Sequence, residues 1–225
     1  MLLTVAPLLD GGLGTVLPTV PPGRLITIEG LDGAGKTTLA GGLQHELTAR
    51  GIEVTLLREP GGVRAAERIR ELVKDPALQI GAEAEALLYA AARAQLVEEA
   101  LQPLLASGRW VLLDRFVDSS LAYQGGGREL GVDEIRAINE FATRGVRPDR
   151  TLLLEVEPRL GRSRSRAREE PMDRLEAERD EFFERVHAAY LEVAAREPDR
   201  IRRIDGDAPP EQVLRSALEA LADLA

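Results

Sequence analysis

The sequence predicts an open α/β domain, a five-stranded parallel sheet with helices on both faces. Two observations carry that reading. From residue 24 onward, short β-branched and aliphatic runs alternate with longer amphipathic stretches, a pattern that packs helices over a parallel sheet. Between the first run, Leu25-Ile26-Thr27-Ile28, and the stretch behind it stands Gly30-Leu31-Asp32-Gly33-Ala34-Gly35-Lys36-Thr37. In that strand–loop–helix setting, G-x-x-x-x-G-K-T is a phosphate-binding loop. Its glycines admit turns that a Cβ would hinder, so successive N–H groups can point at a polyphosphate. The following helix adds its positive dipole end. Lys36 brings an ammonium to the β- and γ-phosphates, and Thr37 a hydroxyl for Mg²⁺.

The elements follow in order. Residues 37–50 read as a helix that Gly51 ends at C′. Residues 52–57 form a second strand, and Arg58-Glu59-Pro60-Gly61-Gly62 turns at its carboxyl end, where open α/β sheets bind ligands. Residues 65–74 and 82–106 carry helical periodicity. In the longer one Tyr89 and Arg93 are four apart, hence on one face; by themselves they read as a half-buried tyrosine and a solvated arginine. Trp110-Val111-Leu112-Leu113 is a third strand ending in Asp114-Arg115-Phe116. An aspartate at a strand end downstream of the loop suits Mg²⁺ coordination. Ser119, Ser120, Tyr123 and Gln124 then converge beside a flexible break, Gly125-Gly126-Gly127. After a helix at 132–144 and a strand at 151–156, the run R-S-R-S-R-A-R-E-E from Arg162 to Glu170 has almost no apolar face. It reads as a solvated helix end or loop, or as a mobile arginine lid over phosphates, about 162–173. A helix at 175–196, a strand at 201–204 and a helix at 209–224 close one domain, residues 23–225. This is the P-loop nucleoside triphosphate hydrolase fold with an arginine-rich lid.

Composition bounds the function. A 225-residue chain that is 44% hydrophobic suits one sizeable core. A net charge of −9 argues against nucleic-acid or anionic-membrane partners, so an anionic ligand must be held by local arginines. No cysteine is present, which removes disulfides and thiolate metal sites and leaves a cytoplasmic reading. His45 and His187 sit on helix-like stretches as ordinary surface residues. Residues 1–22 read as a flexible N-terminal extension, with a cryptic signal sequence as the alternative. Met1 to Leu9 is apolar without a basic segment before it and too short to span a bilayer, and glycines and prolines follow.

Small GTPases share the loop but need N/T-K-x-D and D-x-x-G, and Asp114 is followed here by Arg-Phe-Val. A second anion site at Arg58, Arg93 and Arg115, with a basic lid, favours a kinase that binds two nucleotides. Other nucleoside or nucleotide kinases and a catalytically silent nucleotide-binding regulator are the alternatives. The chain from about Arg24 onward resembles the bacterial thymidylate kinase family. The resemblance rests on residues 28–38, on Arg58-Glu59-Pro60-Gly61-Gly62, and on Asp114-Arg115-Phe116 running on to Ala122-Tyr123-Gln124-Gly125.

The resemblance implies phosphorylation of dTMP to dTDP by ATP with Mg²⁺, in a homodimer joined through helices after the second and third strands. Gly30, Leu31, Asp32, Gly33, Ala34, Gly35, Lys36 and Thr37 would bind ATP, with Asp32 also reaching the dTMP 3′-hydroxyl. Arg58 and Arg93 would hold the dTMP side, and Arg115 would clamp the phosphates. Tyr89 would stack on thymine, Gln124 would hydrogen-bond the base, Tyr123 would crowd the 2′ position, and Ser120 would line the acceptor site. Thr37 and Asp114 would serve Mg²⁺, and Arg164, Arg166 and Arg168 match the lid. The Glu59–Pro60 bond is expected to be cis.

Overall fold

Five short strands carry the aliphatic runs: β1 (Leu25–Glu29), β2 (Val54–Arg58), β3 (Trp110–Asp114), β4 (Arg150–Glu155) and β5 (Ile201–Asp205). The computed structural model describes residues 23–167 and 172–224; the expected N-terminal extension lies outside them. The strands form one sheet in the order β2-β3-β1-β4-β5, every pair parallel. β1 is central and buried throughout, which is why it reads as a continuous apolar run. Chain connections leave β1 toward β2 and leave β3 toward β4, in opposite directions across the sheet. The crevice beyond the carboxyl ends of β1 and β3 is therefore the switch point where such sheets bind ligands.

Period-two alternation along the strands divides the core. Ile26, Ile28, Leu112, Leu152 and Leu154 face helices α1 (Lys36–Ala49) and α8 (Pro210–Ala220), meeting Leu39, Leu43, Val213 and Ala217. On the other face Leu25, Val111 and Leu113 pack with Leu96 of α3 (Ala82–Leu96) and with Val97, Leu101 and Phe116. Leu153 and Ile201 pack there with Phe182, Val186 and Val193 of α7 (Asp180–Arg196). The remaining helices are α2 (Arg64–Lys74), α4 (Val117–Ser120), α5 (Val132–Thr143) and α6 (Pro158–Arg166). Gly51, at φ +82°, ends α1 as expected.

The structure departs from the sequence reading in four places. The helix at 82–106 is continuous but passes through a π-helical turn, Val97–Leu101, before Gln102–Ala106. Pro103 there has no N–H to donate to the carbonyl four residues back. Gly125-Gly126-Gly127 is no flexible break; it belongs to a π-helical segment, Leu121–Gly127, that continues α4. A Cβ on Gly126 would collide with Ala189, and one on Gly127 would lie 2.7 Å from Val186 Cγ2 and close to the Phe182 ring. The glycines are there so that α7 can approach. The helix expected from residue 175 starts at Asp180, because the Asp173 carboxylate accepts from the Leu175 and Glu176 N–H groups, both at 2.9 Å, and holds a turn. The described part of the charge run is a helix end, but Arg162 in it is not solvated: it forms an ion pair with Asp180 at 2.7 Å and lies 4.5 Å over the Phe183 ring. A long arginine stem can pack in this way where no aliphatic residue is present.

Candidate active site

The phosphate-binding loop owes its shape to left-handed glycines at 30, 33 and 35, with φ of +134°, +80° and +93°. A Cβ at Gly30 would lie 2.5 Å from the Leu154 carbonyl oxygen, and one at Gly33 would strike the Gly161 carbonyl oxygen of α6. The loop is thus pressed between β4 and α6. Leu39 N–H makes the first intrahelical bond of α1, to Gly35 O at 3.0 Å, so the amides of residues 36–38 face out of the helix start. No side chain among the described residues caps that end. Lys36 is 7% exposed, and its Nζ donates to the Gly30 and Leu31 carbonyls at 3.1 and 2.9 Å. Burial and the Arg115 cation pull its pKa down to about 8.

Arg115, just beyond β3, has φ +71°, a left-handed conformation uncommon for a non-glycine residue. Its N–H donates to Ile28 O at 3.0 Å. The turn sends the guanidinium back beneath the loop, where NH2 donates to Asp32 Oδ1 at 2.6 Å and NH1 to Gly30 O and Ser119 Oγ at 3.1 and 3.0 Å. It also lies 5.1 Å over the Tyr123 ring. Tyr123 Oη donates to Asp32 Oδ2 at 3.2 Å. Burial opposes ionisation of Asp32, but Arg115 and Lys36 outweigh it and hold the carboxyl well below the usual range. Glu29, the last residue of β1, anchors the assembly from behind. It accepts from Phe116 N–H at 2.7 Å, Ser119 Oγ at 2.6 Å and Tyr190 Oη at 2.9 Å. Burial and the nearby Asp118 push its pKa up to about 7.

These groups open onto a cavity of about 660 Å³. Gly33, Gly35, Lys36 and Thr37 of the loop line it, and so do Arg58, Tyr89, Ser120, Tyr123 and Gln124, together with Asp32 and Arg115. Asp114 borders it and leaves Oδ1 buried without a hydrogen-bond partner among the described residues. Arg93 is 1% exposed, contrary to the solvated residue its composition suggested. It donates to Glu59 Oε2 and the Phe116 carbonyl at 2.8 Å, to Ser120 Oγ at 2.9 Å and to Asn139 Oδ1.

A family model described as thymidylate kinase matches residues 28–217. The chain belongs to the thymidylate kinase family. A relative named thymidylate kinase from Alkalilimnicola ehrlichii is 47% identical over 201 residues, covering 89% of this chain and 93% of the relative. One from Halorhodospira halophila is 46% identical over 204 residues, covering 90% and 95%. One from a Geobacillus species is 44% identical over 203 residues, covering 89% and 97%.

With the thymidylate kinase family in view, the predicted residues can be placed. Asp32, Gly33, Gly35, Lys36, Thr37, Arg58, Tyr89, Arg93, Asp114, Arg115, Ser120, Tyr123, Gln124 and Arg164 all border the one cavity. Gly30, Leu31 and Ala34 are buried in the body of the loop. Arg166 borders a separate small depression beside Leu31, Asp32 and Phe183, and Arg168 lies outside the described residues. The Glu59–Pro60 bond is cis. Sequence reasoning missed Glu29, Glu59, Arg70, Lys74 and Glu85. An acid ending an otherwise apolar strand signals Glu29, and Glu85 lies four residues before Tyr89 on the stripe that also carries Arg93. Arg70 and Lys74 share a face of α2 by the same spacing.

Proposed function

We propose that this chain catalyses ATP + dTMP ⇌ ADP + dTDP by direct in-line phosphoryl transfer. The observation that carries the proposal is one cavity lined both by the phosphate-binding loop and by aromatic and amide side chains, with Arg115, itself part of the lining, bonded to the loop. The acceptor phosphate is already an anionic nucleophile, so no general base is required. Catalysis is positioning and neutralisation of charge on the transferred group.

The loop amides and Lys36 would bind the β- and γ-phosphates, Lys36 exchanging its loop carbonyls for phosphate oxygens. Thr37 and the Asp114 oxygen that has no partner among the described residues fit a hard cation or its waters, and Mg²⁺ bound there would offset phosphate charge. Arg58 and Arg115 would hold the dTMP phosphate, and Arg93 would fix the compartment wall through Glu59 and Ser120. Tyr89 would stack on thymine and Gln124 would bond its edge. Tyr123, held by Asp32, would crowd a 2′-hydroxyl, and Asp32 would reach the 3′-hydroxyl. Arg164, Arg166 and Arg168 would close over the phosphates.

A homodimer is part of the proposal. Leu87 of α3 and Phe141 of α5 are 57% and 89% exposed, and burying them against a second copy would remove apolar surface from water. A cytoplasmic location is proposed from the ATP donor, and no helix among the described residues is long and apolar enough to cross a membrane. The test is dTMP-dependent ADP release by wild type and Lys36→Ala. The variant should keep its far-UV circular dichroism and lose on the order of 10²-fold or more in turnover. Near-normal turnover would refute the donor-site assignment.

A further inference from the structure

Glu85 of α3 is fully buried and lies outside the phosphate chemistry described above. Its carboxylate accepts from four N–H groups. Oε1 takes Gln124 Nε2 at 2.9 Å and Arg128 Nε at 3.2 Å; Oε2 takes Arg128 NH2 at 3.0 Å and Arg174 NH2 at 2.5 Å. The two guanidiniums hold the carboxylate from different elements: Arg128 follows the π-helical segment, and Arg174 also donates to Val73 O at 3.1 Å. Glu85 therefore has little freedom to turn.

The consequence falls on Gln124. A side-chain amide has a donor end and an acceptor end of almost equal size, and a carboxylate can only accept. Facing Glu85, the amide must present Nε2 to it, which leaves Oε1 as the end available elsewhere. That oxygen accepts no hydrogen bond from the described residues, and Gln124 borders the cavity. Arg93, buried in the same cavity wall, has its donors directed at Glu59, Ser120, Asn139 and the Phe116 carbonyl. A flip of Gln124 would set its oxygen against the Glu85 carboxylate.

We infer that Glu85 is a specificity-determining positioning residue, one that locks Gln124 as an acceptor toward the substrate base. The inference rests on the thymidylate kinase reading and extends it. A locked acceptor complements the N3–H of thymine or uracil. It opposes the unprotonated N3 of cytosine, where two lone pairs would meet. Discrimination of this kind is strong because the wrong base leaves a buried polar group unpaired.

The test compares dTMP with 5-methyl-dCMP, which keeps the sugar, phosphate and methyl group and changes the hydrogen-bonding edge. Wild type, Glu85→Gln and Arg174→Met are assayed for kcat and KM with each acceptor. Glu85→Gln keeps the size but can itself accept or donate, so Gln124 is free to flip. The ratio of kcat/KM for dTMP to that for 5-methyl-dCMP should fall by ~10-fold or more, chiefly through KM. Arg174→Met removes a neighbour of Glu85 but leaves the carboxylate, so its ratio should stay within about threefold of wild type. An unchanged ratio in Glu85→Gln, or an equal loss in Arg174→Met, would overturn the assignment and leave only general loosening. Should Glu85→Gln fail to fold, wild type decides alone, and turnover of 5-methyl-dCMP within about threefold of dTMP overturns the idea. A wild type inactive on dTMP would instead defeat the functional reading beneath it.

Discussion

Glu29→Gln should stabilise the protein at alkaline pH and do so by a predictable amount. Glu29 is fully buried, and burial together with Asp118 raises its pKa from 4.5 to about 7. In the unfolded chain the carboxyl loses its proton near its ordinary value, whereas the folded protein keeps it until about pH 7. Between those points the folded state binds more protons, so stability falls as pH rises. Below pH 4.5 the group contributes no penalty, and above about 7 the penalty is complete. At about 1.4 kcal/mol per pH unit, the interval amounts to about 3 kcal/mol. Glutamine is nearly isosteric and neutral. Its oxygen can accept from Phe116 N–H, and its amide can donate to Ser119 Oγ and Tyr190 Oη, whose hydroxyls rotate to suit. Urea unfolding at about pH 5 and about pH 8 would measure the effect. The variant should gain up to about 3 kcal/mol over wild type at the higher pH and far less at the lower. A variant less stable at the higher pH, or equally displaced at both, would refute the claim that a buried charge is the cause.

Lys36 supplies a second pH dependence: since burial and Arg115 pull it down to about 8, kcat/KM for ATP should decline above that pH as the ammonium is lost. Lys36→Arg, which stays charged, should move that limb upward in pH–rate profiles. For the lid, single alanine variants of Arg164, Arg166 and Arg168 should lower kcat more than they raise KM, the largest by ~10³-fold. Position 33 carries no side chain to share that task and is occupied in space by the Gly161 carbonyl; wild-type kcat in all three variants would eliminate the lid. Gly126→Ala should cost about 1–3 kcal/mol in denaturant midpoint analysis, because its Cβ would overlap Ala189, and an unchanged midpoint would contradict the packing role.

The sheet and its loops were legible because they follow local rules. Buried parallel strands read as apolar runs, and the 30–37 loop announces its backbone through glycines that the structure holds at positive φ. What sequence reading missed depends on contacts between distant segments. Nothing near Gly125-Gly126-Gly127 indicates that Phe182, Val186 and Ala189 press against it, so the triplet reads as a break when it is a helix contact. Arg93 reads as a surface residue because its partners Glu59, Ser120 and Asn139 lie 34, 27 and 46 positions away. The start of α7 was misplaced because Asp173 captures the amides of Leu175 and Glu176 ahead of it. Most of the predicted residues that border the cavity sit at strand ends or on one helix face, where spacing alone brings them together. Glu29 and Glu85 escaped because each acts through the groups it holds, Ser119 and Gln124 respectively.

The central claim, that the compartment beside the phosphate-binding loop selects dTMP, is tested most directly by competition. Wild-type protein receives limiting ATP and an equimolar mixture of dTMP, dUMP, UMP, CMP, AMP and GMP, and the diphosphates formed are quantified by mass spectrometry. Their initial proportions give relative kcat/KM for every acceptor in one vessel. dTDP should dominate. dUDP should follow at a deficit of ~10–200-fold or less, the span that one missing methyl group covers. UDP should fall well below both if Tyr123 crowds the 2′ position as proposed. Predominance of ADP, GDP or CDP among the products would contradict the account.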